Sequence, residues 1–504
     1  MLKGTEREKN MKKVKRLIAL ALAAMMAVIP LSGCGDSGDK SETIKWYIFD
    51  NANNTNAKQV YDELNKKIYE KIGADVEFVP IISGNYEAKM QVLNATAEQM
   101  DIVFVSNWLN NYYSNVAKNT LLPLDDLLKE TPTLYNTIPD YFWEGAKVNG
   151  KIYAVPNQQI AAREARFAIP EQNAKLLGID VDEFMSRTGD YRTYLGAADE
   201  YLRLLNSKTN TYAKLGEIWS DGLSIFDMEE VVGSRLPGAI RYKDAEDGSI
   251  EIINQYKSDE FKYYINLRRQ WVKEGLVQPE VEDTRTLPGL TDENVVIPAL
   301  HRVNVWKPGV EQEILNAEKY MAIPLVKTEG WLTSGGIAAT MMGVSSTSKN
   351  PELALKVIEL VNTDKEIYNL LVYGIEGVNY EKTGENRIEV KENPFYSLES
   401  WAAGNVYNSY LLPTQADDTW EETKKINDTA KKSPLLGFSP TMDNIKTEVA
   451  ACSSALDEFL EVLDYGVVDV DSAYNDFINK LDVAGADKII AEVQSQVDEW
   501  LKTK

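Results

Sequence analysis

An α/β fold in two large lobes is what this sequence predicts, and three observations predict it. Between residues 44 and 105, β-rich runs alternate with helical periods, the pattern of a sheet covered by helices. The chain has 504 residues, more than one ordinary hydrophobic core takes up, so two lobes or domains must share it. Ten tryptophans and 26 tyrosines supply ample apolar surface for both.

Ile44 to Phe49 reads as a first strand. Asn53 to Ile72 follows as a helix in which Val60, Leu64 and Ile68 recur every four residues before Gly73 stops it. Val76 to Pro80 is a second strand, Tyr86 to Ala97 a second helix and Asp101 to Val105 a third strand. Short joints between them predict a parallel sheet covered on both faces, whose ligands sit beyond the carboxyl ends of the strands. That rule puts Asp50 and Asn51, then Asn107 and Trp108, on the rim of a crevice. Tyr194 to Leu205 and Asp259 to Glu274 read as amphipathic helices, and Asn350 to Asn362 as another, opened by the Asn350-Pro351 pair. Tyr380 to Pro394, with Thr383-Gly384, reads as either a hairpin or an irregular flap.

The start of the chain says where the protein works. Lys12, Lys13, Lys15 and Arg16 make a basic head, Leu17 to Pro30 an apolar run, and Leu31-Ser32-Gly33-Cys34 a small-residue site ending in cysteine. The run is too short and wrongly flanked for a membrane span but fits an export signal over residues 1–33, with Met11 as the expected start. Its end resembles the lipobox of bacterial lipoproteins, which implies cleavage before Cys34 and diacylglyceryl attachment to its thiol. Residues 34–42 hold nothing apolar to bury and read as a flexible spacer. Export removes seven basic and two acidic residues, so the mature chain carries a net charge of −28. Such a surface is repelled by nucleic acid and by anionic headgroups, which leaves the lipid as the only expected hold on the membrane. With Cys34 acylated, Cys452 has no partner within the chain, and its helical, partly apolar surroundings read as those of an inert buried thiol.

Motifs that carry chemistry are missing. The sequence has no glycine-rich phosphate loop, no His-Glu-x-x-His and no paired-cysteine metal signature, so no cofactor or metal is expected. His301 is the single histidine and reads as a structural group. Asp469-Val-Asp471 starts like a calcium loop but lacks its later ligands and its glycine; the expected role is Asp471 or Ser472 capping a helix that begins at Ala473.

Asp101-Ile-Val-Phe-Val105, the leucine-rich 121–128 and Asn149-Gly-Lys-Ile-Tyr-Ala-Val-Pro156 stand in this order along the chain. Together they resemble the extracellular solute-binding proteins of carbohydrate ABC importers, the family of maltose-binding protein. Later pieces agree in the same order. Trp331 to Ala339 with Ser346 to Val361 is similar to the segment where that family's chain returns to its first lobe. Gly374-Ile-Glu-Gly-Val-Asn-Tyr380 and Gly485 to Trp500 resemble a lipoprotein subgroup for oligosaccharide or aldouronate uptake, with a helical C-terminal segment. The resemblance implies a periplasmic-binding-protein-like fold: two hinge-linked α/β lobes that trap ligand as they close. Transferring the crossings gives lobe one as 43–156 plus 333–410 and lobe two as 157–332 plus 411–504.

The function so implied is a monomeric, lipid-anchored receptor that captures a neutral or uronic-acid-containing oligosaccharide and passes it to an ABC permease. It performs no chemistry. The rival readings are a secreted glycosidase, whose paired carboxylates any of 77 acidic residues might supply, and a binder of peptide or another small solute. Sugars are held by flat aromatic faces and by amides or charges that pair hydroxyls. Trp108 is the expected platform of lobe one, with Asp50, Asn51 and Asn107 beside it, and Asn157 and Gln158 follow the hinge-like Ala154-Val-Pro. Trp219, Trp306, Trp331 and Trp401 lie in polar or glycine-bounded segments and are further candidates, as is Glu376 of the subgroup motif. For an acidic sugar, Arg163 or Arg302 is the expected bidentate partner.

Overall fold

A computed structural model describes residues 43–50, 54, 56–233, 235–245, 248–278, 294–392 and 395–504. The export signal, Cys34, the spacer and Asn51 lie outside the described residues. The chain begins with β1 (Thr43–Asp50), α1 (Ala57–Ile72), β2 (Asp75–Ile82), α2 (Ser83–Thr96) and β3 (Ile102–Val105). Val60, Leu64 and Ile68 of α1 are wholly buried, as their spacing requires for a stripe facing the sheet. Gly73 takes the left-handed conformation that ends the helix, and its N–H donates to the Tyr69 carbonyl at 2.8 Å.

β4 (Ala154–Pro156), β5 (Ala162–Arg163) and β6 (Arg166–Pro170) lead out of this region, and α3 (Tyr191–Thr209) and α4 (Asp259–Lys273) follow. Ser258 caps α4, its hydroxyl accepting from the Phe261 N–H at 3.1 Å. Then come β7 (His301–Val303), β8 (Ala322–Lys327), β9 (Trp331–Leu332), β10 (Met341–Val344) and α5 (Pro351–Thr363). β11 (Tyr380–Lys382) and β12 (Ile388–Val390) form an antiparallel hairpin, which decides between the two readings of that stretch. The chain ends with α6 (Thr419–Thr429), β13 (Lys431–Lys432) and three helices, α7 (Lys446–Asp464), α8 (Val470–Ala484) and α9 (Ala486–Leu501). The cap of α8 is Asp469, whose carboxylate accepts from the Ser472 N–H at 3.2 Å, so the helix starts at Val470 rather than Ala473.

Three sheets organise the body. The first has the order β2-β1-β3-β10-β4, with β1 parallel to both β2 and β3. The parallel pairing read for the first three strands is present, and β10 joins them antiparallel to β3 and β4. The cause is topological: β10 enters the sheet from the edge where β3 ends, Met341 pairing with Val105, instead of after a crossover helix. β4 ends at that same edge, Pro156 opposite Met341. In the second sheet β7 and β8 flank β6, both antiparallel to it. The third is a short sheet, β13-β9-β5, in which Trp331 lies opposite both Arg163 and Lys431.

Two large hydrophobic cores lie on either side of that third sheet. The first takes its described chain from Ile44 to Ala162 and from Leu332 to Ala403, together with Leu436, and Ile426 and Ala430 pack against it. The second takes Ala165 to Val326 and Leu435 to Val497, so the helical C-terminal segment belongs to it. Ile426 and Ala430 pack against the first core and Leu435 lies in the second, so the chain's third passage lies near β13. One buried carboxylate ties the C-terminal helices to the second lobe. Asp464, at the end of α7, accepts from the N–H groups of Ile218, Trp219 and Ser220 at 3.1, 3.2 and 2.8 Å and from the Tyr264 hydroxyl. A wholly buried carboxylate is tolerated only with such a set of donors. Cys452 sits in this core, and burial pushes its thiol up to about 11, where it is protonated and unreactive.

Candidate ligand cleft

The common edge of the first sheet collects the residues that follow β1, β3 and β4. After β3 the chain turns on Ser106, whose hydroxyl accepts from the N–H groups of Trp108 and Leu109 at 3.2 and 2.7 Å. This turn lifts the Trp108 ring out of the fold. Its indole N–H donates to the Ala339 carbonyl at 2.8 Å, and it meets Phe49, Phe104 and Trp401 with centroids 5.9, 6.0 and 6.1 Å away. More than half of Trp108, 54%, still faces solvent. A large aromatic ring pinned at its polar atom and left open on its apolar surface is not part of the core.

Asn157 and Trp401 form the next part of the rim. Asn157 is buried, donates through Nδ2 to the Trp401 carbonyl at 3.1 Å and accepts at Oδ1 from the Gly404 N–H at 3.1 Å. Both ends of its amide are thus spent on holding the Trp401 turn. Gly404 has φ of +67°, and a Cβ there would stand 2.4 Å from the Val361 carbonyl oxygen, so the turn requires glycine. Gln158 pairs through its backbone with Gly404 and Val406, while its side-chain Nε2 is buried without a partner among the described residues. Asn107 is similar: Nδ2 donates to the Gly335 carbonyl at 3.0 Å and Oδ1 is buried with no partner among the described residues. Asp50 is 4% exposed and accepts from Asn54 Nδ2 at 2.9 Å, as a turn residue does.

The third sheet and the second lobe carry the remaining candidates. Trp331 is part-exposed and stacks flat on Tyr242, centroids 3.8 Å apart, with the Lys431 ammonium 5.4 Å from its ring centre. Its neighbour in register, Arg163, reaches the Gly335 carbonyl at 3.4 Å. Arg302 is held by Asp221 and donates to the Gly222 carbonyl at 2.7 Å, so an acidic sugar would have to displace an existing carboxylate partner. Two sequence candidates are corrected. Trp219 is 2% exposed and packs on Phe226 and Phe261 at 4.4 and 4.7 Å in the second core, because Asp464 turns its backbone inward. Trp306 is 4% exposed in a satellite core with Ala168, Val310 and Ala322, beneath the Arg166 guanidinium. Glu376 lies apart, paired with Lys382 at 3.0 Å beside its own hairpin. Among the described residues no cluster of three or more His, Cys, Asp or Glu could hold a metal ion.

Two α/β lobes joined through one small sheet, with an exposed tryptophan where strands of the first lobe end, define a two-lobed solute-binding fold of the periplasmic-binding-protein type. The chain resembles carbohydrate-binding proteins of ABC importers along nearly its whole length. It is 29% identical over 518 residues to a carbohydrate ABC transporter substrate-binding protein of Streptococcus pneumoniae serotype 4, covering 98% of this chain and 100% of that one. The crystal structure of the N-glycan transport solute-binding protein NgtS from S. pneumoniae superposes with a TM-score of 0.77 at 27% identity, over 92% of this chain and 99% of that one. The same protein in complex with Man5GlcNAc gives 0.69 at 28% identity, with the same coverage. Residues 434–502 match a family model described as a domain of unknown function, DUF3502. That segment is the three-helix element closed onto the second core by Asp464.

One acidic group beside the third sheet had no sequence signal. Glu229 accepts from the Ser433 hydroxyl, next to the third passage of the chain, and also meets Tyr242. Burial pushes its carboxyl up to about 7, against the pull of those two hydroxyls. It also faces the first lobe: burial, then the charge of Glu229, raises the Tyr113 phenol. Below the ordinary carboxyl value of 4.5 the group is protonated whether the chain is folded or not. Between 4.5 and about 7 the unfolded chain releases its proton first, so stability falls as pH rises through that window. Glu229→Gln should therefore melt with the parent near pH 4.5 and above it near about pH 8. A difference in melting temperature that stays constant across that range would show that Glu229 is not held protonated.

Proposed function

We propose that this protein is an extracellular receptor that closes two lobes on an oligosaccharide and hands it, unaltered, to an ABC permease. The observation that carries the reading is Trp108, a fixed and half-open indole at the edge where the strands of the first lobe end. Lobe one would comprise 43–162 with 332–430 and lobe two 163–331 with 431–504, pivoting on the sheet of the three passages. A neutral glycan suits the site better than a uronate. Arg302 already has Asp221, burial disfavours the charge on Arg163, and the surface is strongly acidic. Because NgtS, at 27 to 28% identity, has been crystallised with Man1GlcNAc and Man5GlcNAc, mannose-containing glycans ending in N-acetylglucosamine are the first class to test. Lipid on Cys34, the expected anchor, would keep the receptor beside its permease.

Titration of the mature chain with Man5GlcNAc tests the reading. Stacking a pyranose on an indole in a closed cleft removes apolar area from both partners, and Trp108→Ala should weaken binding by roughly 1.5 to 3 kcal/mol, about tenfold to more than a hundredfold. The unliganded variant should melt close to the parent, since the ring is not core, and the glycan should be recovered intact. Unchanged affinity with a lowered melting temperature would return Trp108 to a structural role, and released reducing ends would replace the receptor by a glycosidase. For the anchor, Cys34→Ser in cells should release the protein from the membrane fraction. Undiminished membrane partitioning of that variant would contradict lipidation at Cys34.

A further inference from the structure

Another aromatic side chain stands at the edge where β1 ends. Phe395 is 59% exposed, the most exposed aromatic residue among the described ones. The turn between β1 and α1 holds its backbone there: the Phe395 carbonyl accepts from the Asn56 N–H at 3.0 Å, just before α1 begins. Asn54 fixes the same segment. Its Oδ1 accepts from the Ser397 N–H and its Nδ2 donates to the Ser397 carbonyl, both at 3.1 Å, and Nδ2 also donates to the Asp50 carboxylate at 2.9 Å. Residues 395–397 therefore lie over the carboxyl end of β1, and because β1 and β3 run parallel this is the edge that carries Trp108.

The turn uses the backbone of Phe395 and not its ring. Its φ is +56°, a left-handed conformation that is an outlier for a bulky side chain and that glycine or asparagine takes more readily. An uncovered apolar ring on a strained backbone adds nothing to stability, and outliers of this kind cluster where ligands are held. The position points to which ligand. From Phe395 to Trp401 the chain alternates, Tyr396 and Leu398 buried, Ser397 and Glu399 exposed, as an extended segment does. This segment crosses the sheet. Tyr396 meets Tyr61 of α1, 5.8 Å away, and Tyr61 stacks on Phe78 of β2 at 5.0 Å, while Trp401 meets Phe104 of β3 at 6.4 Å. Two strand spacings of ~4.8 Å and six extended residues of ~3.3 Å bracket the distance from Phe395 to Trp401 at about 10 to 20 Å.

We propose that Phe395 is a second sugar platform of the first lobe, stacking on the C–H face of an outer ring of a long neutral glycan whose inner rings lie at Trp108 and Trp401. The receptor then selects for length: a short saccharide on Trp108 ends before Phe395, whereas a longer one follows residues 395–401 to reach it. The polar groups beside the ring, on Asn54 and Ser397, are spent on each other, so the contact is with the apolar face of the sugar and not with its hydroxyls. This inference rests on the cleft reading and adds its specificity.

Calorimetric titration of the mature chain with Man5GlcNAc and with the shorter Man1GlcNAc tests it. Phe395→Asn keeps the left-handed turn and removes the ring. It should lower the ratio of Man5GlcNAc to Man1GlcNAc affinity about tenfold, with a melting temperature at or above the parent's. Phe395→Leu, apolar but without a flat face, should lower the ratio as well, and Phe395→Trp should keep it. An unchanged ratio in Phe395→Asn overturns the platform, whether or not both affinities fall together. Should that variant not fold, Phe395→Leu decides in the same way. A failure of the cleft reading appears separately, as Trp108→Ala binding both glycans like the parent.

Discussion

The constraint on which the rest of this structure depends is that the chain passes between its two cores three times within one small sheet. β5, β9 and β13 lie side by side, so the passages at Arg163, Trp331 and Lys431 share hydrogen bonds rather than standing as separate linkers. Each ladder bond is modest alone, but three adjoining passages confine relative motion to a bend about one line. The same constraint dictates the antiparallel β10. A chain coming back from the pivot reaches the first sheet at the edge where β3 ends and must run away from it.

That edge carries the proposed site. Residues after β1, β3 and β4 meet the start of β10 there, and the polar side chains among them are mostly occupied in fixing aromatic ones. Asn157 holds the Trp401 turn, Ser106 holds the turn of Trp108, and Ala339 takes the indole proton. The remaining unpaired atoms, on Asn107, Gln158 and Trp331, are buried donors and acceptors beside the pivot. Groups of this kind are expensive to leave unmet, and ligand hydroxyls or ordered water would satisfy them.

Local patterns were legible where one element decides its own burial. The four-residue period of α1 gave its buried stripe, and the carboxyl-end rule put Trp108 at the rim, although Asp50 beside it turned inward to Asn54. Tryptophans in similar polar sequence contexts split by long-range contacts that no window contains. Trp219 was drawn into the core by a carboxylate 245 residues away, while Trp108 was kept out by a carbonyl 231 residues away. The third passage had little local signal, because α6 follows a polar, turn-rich stretch, yet Ile426 and Ala430 pack on the first core. Glu229 had no local signal at all, since its surroundings are brought together only by the fold.

The central claim is that ligand is gripped between the two lobes with a sugar ring on Trp108. The crystal structure of the mature chain with Man5GlcNAc tests it most directly. The account predicts a pyranose stacked on the open face of Trp108, with residues of the second lobe closed over it. Glycan bound with Trp108 still in solvent, or contacts confined to one lobe, would contradict it.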